Sequence, residues 1–454
     1  MAKKMGLFYL SVGVLTAAAV WGVSYPAVRN RQFIDQQEIE QNKDQEIVYL
    51  KSIWNDHFKN KSSSLDTKQD VLNNLKYVLS ETRKNFPIEK IEFNQISDAN
   101  KNVLFSKNSE YLTVKFKNHV IRLPFGLVND SNRALIFKVT DQNPRAKINE
   151  IFSTLDANFL NSDWESLKYE VLQVGYFKNE NKLIQIIKMP YEVKKITKNF
   201  SKAITSLHSA FSNSTANEGL KNITEWDTSN VIDMSSMFRI AKSFNQDISR
   251  WNTLRVTKMQ NMFDSAEAFN QNINSKRVTI NNKTYIAWST ARVTDMNSMF
   301  FKATKFNQSI ANWNTFNVTN MNNMFKFAKL FNQDISRWNT SNVTSMREMF
   351  YSAEAFNQNI STKPIIANNI NYTAWSTARV TDMNSMFFSA INFNQPITNW
   401  NTAKVANMTK MFSEAKNFKQ DISSWNVSST ILHTDFDKDA SPDWKQEHKP
   451  NFTK

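Results

Sequence analysis

The sequence predicts an α/β solenoid of stacked units, each a short strand plus a helix, preceded by a small α+β domain and an apolar amino-terminal helix. Three observations predict it. Tryptophan recurs at 226, 251, 288, 313, 338, 375, 400 and 425, with spacings of 25 or 37 residues. One pattern of bulky apolar residues fills each interval. A charge-free run occupies residues 6–23 of the 454-residue chain.

The amino terminus comes first. Lys3 and Lys4 precede the run GLFYLSVGVLTAAAVWGV, which is close to the shortest length that spans a bilayer. Ala17, Ala18 and Ala19 offer a cleavage site, but the apolar run continues past them, which favours an uncleaved signal anchor over a cut signal. Residues 1–30 are thus expected to be a signal peptide or membrane anchor, with the bulk of the chain extracellular or secreted. Residues 31–61 are polar, with Ile34, Ile39, Ile47, Leu50 and Ile53 interspersed, and read as a helical stalk.

Residues 62–190 read as a small α+β domain. Ser64 is placed to cap a helix through Val71, Leu72, Leu75, Val78 and Leu79. Alternating runs at 111–116, 119–123 and 134–139 predict strands, and a helical pattern resumes over 148–160. Nothing there has the spacing of a phosphate loop or a metal site.

Residues 191–454 carry the repeats and their caps. The unit from Trp313 to Trp338 reads WNTFNVTNMNNMFKFAKLFNQDISRW. Val318, Met321, Met324, Phe325 and Ala328 fall on one face of a three-turn helix, with Thr315 or Asn317 as its cap. Phe331 turns the chain, and Gln333, Asp334, Ile335 and Ser336 suit one brief strand. A single unit cannot bury its own Phe, Met and Trp, but stacked copies can. Asn245, Asn270, Asn307, Asn332, Asn357 and Asn394 are expected to form a buried ladder that satisfies turn backbone groups. A degenerate copy at 204–211 keeps the apolar positions without the Trp, as a capping unit does.

Each 37-residue spacing holds a twelve-residue insertion, at 275–286 and 362–373, with Asn281-Asn282 and Asn368-Asn369 at hairpin positions. Lying three units apart, both hairpins should project from one edge. The run AWSTARVTDMNSMFF occurs identically at 287–301 and 374–388, the mark of a duplicated block.

Composition bounds the function. The chain has no cysteine, which excludes disulfides, thiol nucleophiles and a lipidated cysteine. The five histidines are scattered at 57, 119, 208, 433 and 448, and no carboxylate pair stands out. No enzyme activity and no cofactor or metal is expected. The net charge of +15 is spread along the chain, so a solubilising surface is favoured and nucleic acid is an unlikely partner. The Met and Phe stripes and the unit-closing Trp residues read as core. The variable positions are the binding candidates: Arg250 and Arg337 before the Trp, Lys276, Arg277, Lys283 and Tyr285 in the first hairpin, and Lys363 and Tyr372 in the second.

The motif W-(D/N)-T-S-N-V-T-x-M-x-x-M-F-x-x-A-x-x-F-N-Q-D-I-S resembles the BspA-like surface proteins of mycoplasma type, a family related to leucine-rich repeats. The resemblance covers residues 200–440 and extends more faintly back to Lys188, Met189 and Pro190. It implies a leucine-rich-repeat-like solenoid, display at the cell surface and no catalysis. The apolar anchor, the repeat frame and the lack of catalytic groups together point to adhesion to a macromolecule, protein or glycan, of a host or neighbouring cell. The alternative is a polyanion binder driven by positive charge.

Overall fold

A computed structural model describes residues 41, 44–103, 110–141, 150–156, 167–367 and 370–452. The apolar segment 6–23 and residues 31–40, 42 and 43 of the expected stalk lie outside these residues. Among the described residues, no helix is long and apolar enough to cross a membrane.

The first element is α1 (Gln45–His57), capped by Asp44, whose carboxylate accepts from the amides of Glu46 and Ile47. It is not a free stalk. Ile47, Leu50, Ile53 and Trp54 are buried against the domain that follows, so the helix is part of that domain's core. Helix α2 (Lys68–Thr82) begins with a reciprocal capping box between Thr67 and Asp70, so the cap is Thr67 rather than Ser64. Strands β1 (Ile91–Phe93), β2 (Tyr111–Phe116) and β3 (His119–Pro124) form an antiparallel sheet. Strands β4 (Leu135–Val139), β5 (Ile151–Thr154), β6 (Lys168–Gln173) and β9 (Glu192–Ile196) form a second, in the order β5-β4-β6-β9, with β6 and β9 parallel. The helix expected over 148–160 is replaced, where it is described, by β5 pairing with β4.

The second sheet separates two cores. Ile136 and Leu172 join the core of α1, α2 and the first sheet. Leu135, Phe137 and Val139 face the other way, into a core that continues through Trp226 to Trp444. No linker therefore divides the chain at 190. Strands β7 (Tyr176–Lys178) and β8 (Ile184–Ile186) form a hairpin, and Gln185 of β8 pairs with Ser206. The chain then returns to the sheet as β9 before entering the repeats. A short 3-10 helix, Glu218–Glu225, lies so close to β9 that a Cβ on Gly219 would sit 1.8 Å from the Val193 carbonyl oxygen. The joint is closed by a buried cluster. Arg133 donates to Asp66 at 2.9 Å and to the Val174 carbonyl, while Tyr176 and Ser201 donate to the same Asp66 oxygen.

From Ser206 on, single-residue parallel bridges link successive units through Asp233, Lys258, Asp295, Asn320, Ser345, Asp382, Asn407 and Leu432. The bridge lies between the Val and the first Met of each unit, not in the expected strand 333–336, where Asp334 instead accepts from the Ser336 amide in a tight turn. Nor do residues 318–328 form a helix. Met324, Lys326 and Ala328 donate three residues back, to Met321, Asn323 and Phe325. The alternate amides of Met321, Asn323, Phe325 and Phe327 donate instead to Ser345, Arg347, Met349 and Tyr351 of the next unit. Two left-handed residues per unit, here Asn323 (φ 57°) and Phe327 (φ 61°), interrupt any helix and turn those amides along the stack. All six glycines precede residue 220, so these positions are filled by Ser, Asn, Lys, Glu, Asp, Ile and Phe.

Inside, the repeated residues stack on their counterparts. Phe238, Phe263, Phe300, Phe325, Phe350, Phe387 and Phe412 form one column with ring centroids 5.5–5.7 Å apart. Phe244 to Phe418 form a second column, 5.8–6.0 Å apart. Each Trp is buried and its indole N–H donates to a carbonyl one unit back, as Trp338 does to Ile310 and Trp400 to Ile360. The asparagine ladder is present but half-buried. Asn332 Oδ1 accepts from the Asn357 amide at 2.9 Å and from the Gln358 side chain at 2.9 Å, and the pattern repeats along the stack. The carboxyl end is covered by Trp444 and Phe452, packed edge-on to Phe418 and Phe436.

Candidate binding surface

The two insertions form matching hairpins. Strands β10 (Lys276–Ile280) and β11 (Lys283–Ala287) pair in register, and Asn281 (φ 49°) and Asn282 (φ 60°) supply the two left-handed residues of the tight turn. Strands β12 (Lys363–Ala367) and β13 (Ile370–Ala374) repeat the register, with Lys363 opposite Ala374 and Ile365 opposite Tyr372. Asn368 and Asn369 lie outside the described residues. At each base a hydroxyl closes the loop on the following Trp. Ser275 donates to the Trp288 carbonyl at 2.5 Å, and Thr362 to the Trp375 carbonyl at 2.7 Å. Both of these tryptophans take left-handed backbones, φ 51° and 49°, the local consequence of splicing a hairpin into the unit.

The hairpins are fastened to the unit before them. The Tyr285 hydroxyl donates to the Arg250 carbonyl, and the Tyr372 hydroxyl to the Arg337 carbonyl at 2.7 Å. Tyr285 and Tyr372, named above as binding candidates, are half-buried, and their hydroxyls act as clasps that position the hairpins. Arg250, Lys276, Arg277, Lys283 and Arg337 are exposed, and Lys363 is half-buried. The first hairpin brings Arg250 and Lys276 together around Asp247. Burial works to raise that carboxyl, but the Ser249 amide and hydroxyl, with Lys276 and Arg250, outweigh it and leave its pKa lowered. The hairpins also expose aliphatic side chains, which sequence reasoning missed. Ile366 is 75% and Ile370 65% exposed, which sets apolar surface beside the cations.

A second surface feature was also missed. The two variable positions between Met-Phe and Ala hold Phe301, Phe327, Tyr351 and Phe388 on successive units, all half-exposed and in contact with one another. The signal was available in the clustering of aromatics at positions that elsewhere hold Arg, Asp, Ser or Glu. A third feature is an open polar cleft of about 600 Å³ near the carboxyl end, where Asn357, Asn394, Lys416 and Lys419 face Asp443.

Titratable groups away from these surfaces have structural partners. His208 shares hydrogen bonds with Ser235 and Ser209, and His433 stacks on Phe452. Asp66, fully buried, is raised by its desolvation against the opposing pull of Arg133. Its cluster is sealed between the sheet and the first unit and opens onto no cleft.

Comparison with known proteins places the repeats. A family model described as "Mycoplasma protein of unknown function, DUF285" matches residues 178–287, 275–365 and 362–441. The junctions between these segments fall on the two hairpins. No curated protein matches, and no solved structure does.

Proposed function

The chain belongs to this DUF285 family of mycoplasma repeat proteins, and on that premise we propose that it is a non-enzymatic binding scaffold displayed at the cell surface. In this reading the repeats form a leucine-rich-repeat-like solenoid, residues 6–23 hold the chain in the membrane, and the hairpin-bearing edge meets a protein or glycan of a host or neighbouring cell. The resemblance to BspA-like surface proteins supports display, and the apolar segment joined to a repeat frame supports adhesion.

The observation that carries the proposal is the division of labour within the unit. The inward residues are held constant and fully buried, while the outward ones vary and the insertions add exposed cations and aliphatics. Evolving a partner surface on such a frame costs little stability, because exposed substitutions away from caps and pairs move it by about 0.5 kcal/mol or less. Protease shaving of intact cells tests the display. The repeats should be cleaved from the outside, and their survival while a surface control is lost sinks the proposal. Replacing Lys276, Arg277 and Lys283 by Glu should then reduce attachment of cells without changing surface level.

The +15 charge favours a second reading, a polyanion binder. It predicts that affinity for heparin or nucleic acid falls linearly on a log–log plot against salt, with a slope set by the number of phosphates or sulfates neutralised. Absence of binding near physiological salt removes it.

A further inference from the structure

The aromatic strip is built like an interface with itself. Phe301 and Phe327 meet edge to face at 6.0 Å, Phe327 and Tyr351 at 5.2 Å, and Tyr351 and Phe388 stack at 4.5 Å. Lys302 lies over Phe301 and Phe327, and Lys326 over Phe327 and Tyr351. Phe301, Phe327 and Tyr351 therefore each have a lysine over a ring face, and Phe388 has one face on Tyr351. That disfavours a sugar, which stacks on open faces, and suits the interdigitation of protein side chains. Phe327 also holds a left-handed backbone at φ 61°, at a site where other units place Ile, Ser, Lys or Glu.

Charge along the strip is ordered. The Lys302 unit lies two units before that of Tyr351, and the Glu414 unit two units after it. Among the described residues Lys302 has no ion-pair partner, and Glu414 is held only by the Ser389 hydroxyl. Lys326 pairs with Glu348. Burial, then the carboxylates of Glu348 and Glu414, raise the Tyr351 phenol. Lys302 thus stands at one end of the strip and Glu414, with the exposed Lys410 in its unit, at the other, with the aromatic rings between and Tyr351 midway.

We infer that the partner of this strip is a second copy of the chain, docked antiparallel about a two-fold axis at Tyr351. Such an axis sets Lys302 of each copy against Glu414 of the other and Phe327 against Phe388, the self-complementary pattern of an isologous dimer. Each ring keeps under about a third of a side-chain surface of about 150–250 Å² exposed, so the four supply a small apolar centre of about 300 Å² at most, and the flanking charges its rim, as in a weak, reversible interface. The inference goes beyond the adhesive reading and stands whether or not that reading does.

The absence of native cysteine makes the test direct. Ser352→Cys sits beside the axis, and Arg337→Cys on the hairpin edge serves as control. The full chain, dilute in detergent, is treated with a short bismaleimide. Ser352→Cys should give covalent dimer and Arg337→Cys should not. Lys302→Glu and Glu414→Lys should each weaken dimerisation about tenfold by setting like charges opposite, and the double exchange should restore it. Both changes suit the local backbone, since Lys302 and Glu414 themselves occupy the same left-handed position of their units. Equal cross-linking at Arg337→Cys, none at Ser352→Cys, or a double exchange no better than the singles overturns the inference.

Discussion

At the scale of single residues, the stack depends on small polar groups that satisfy backbone the repeats leave exposed. Asn332 is representative. Its side-chain oxygen is the shared acceptor for the Asn357 amide and the Gln358 side chain, and its own amide donates to Asn307. Asn332→Ala removes that acceptor and should cost about 1–2 kcal/mol, while Asn332→Asp, which keeps an oxygen there, should cost less. Denaturant titration of the two variants checks the order. His57 governs acid sensitivity at the other end of the chain. Its burial, then Lys61, lower its pKa to about 4 from an ordinary 6.5, against Asp56. The folded protein therefore excludes a proton that the unfolded chain accepts. The contribution is fully present above pH 6.5 and is lost as pH falls towards 4, on the order of 3 kcal/mol. Stability measured at pH 7 and pH 4.5 should converge in His57→Gln relative to the parent.

Among elements, the hairpins behave as attachments. A two-stranded hairpin alone is marginal in water, and here one tyrosine hydroxyl and one loop hydroxyl tie each to the stack. Tyr372→Phe should leave the thermal midpoint within a few degrees while hydrogen exchange in 363–374 quickens about fivefold, the effect of losing a bond worth about 1 kcal/mol. Unchanged exchange there would show that strand packing, not the clasp, holds the hairpin. The insertions were legible in the sequence because a hairpin is a local event: two β-type runs around Asn-Asn specify it. The unit itself was not. Met and Phe at three- and four-residue spacing fit a helix, yet the same spacing serves a chain of three-residue turns. What decides between them is where the alternate amides point, and that depends on the next unit, 25 or 37 residues away.

Across the whole molecule, the register of the stack is set by the 25-residue unit and is indifferent to what leaves its edge. Deleting 275–286 joins Asn274 to Ala287 and gives the same spacing as the uninterrupted units. The deletion should fold with a thermal midpoint close to that of the parent, and collapse of the near-ultraviolet circular dichroism of the buried tryptophans would contradict it. Replacing Arg133 by Leu should be far harsher, about 3–5 kcal/mol, because it strands the buried Asp66 carboxylate at the joint between the amino-terminal sheets and the first unit. That joint was invisible beforehand. Residues 62–190 looked separate because their composition changes, but composition says nothing of a core shared across a sheet.

The sequence by itself determined the repeat, its length, which side chains turn inward, the hairpins and the asparagine ladder, since each follows from periodicity or from a local turn. Only the tertiary structure decided that the units are chains of turns without a helix, that α1 is core rather than stalk, that Tyr285 and Tyr372 are clasps, and that four aromatic rings meet on one face. Those outcomes rest on hydrogen bonds and contacts between residues far apart in the chain, and a linear pattern fixes which residues recur but not which neighbour their amides and rings will find.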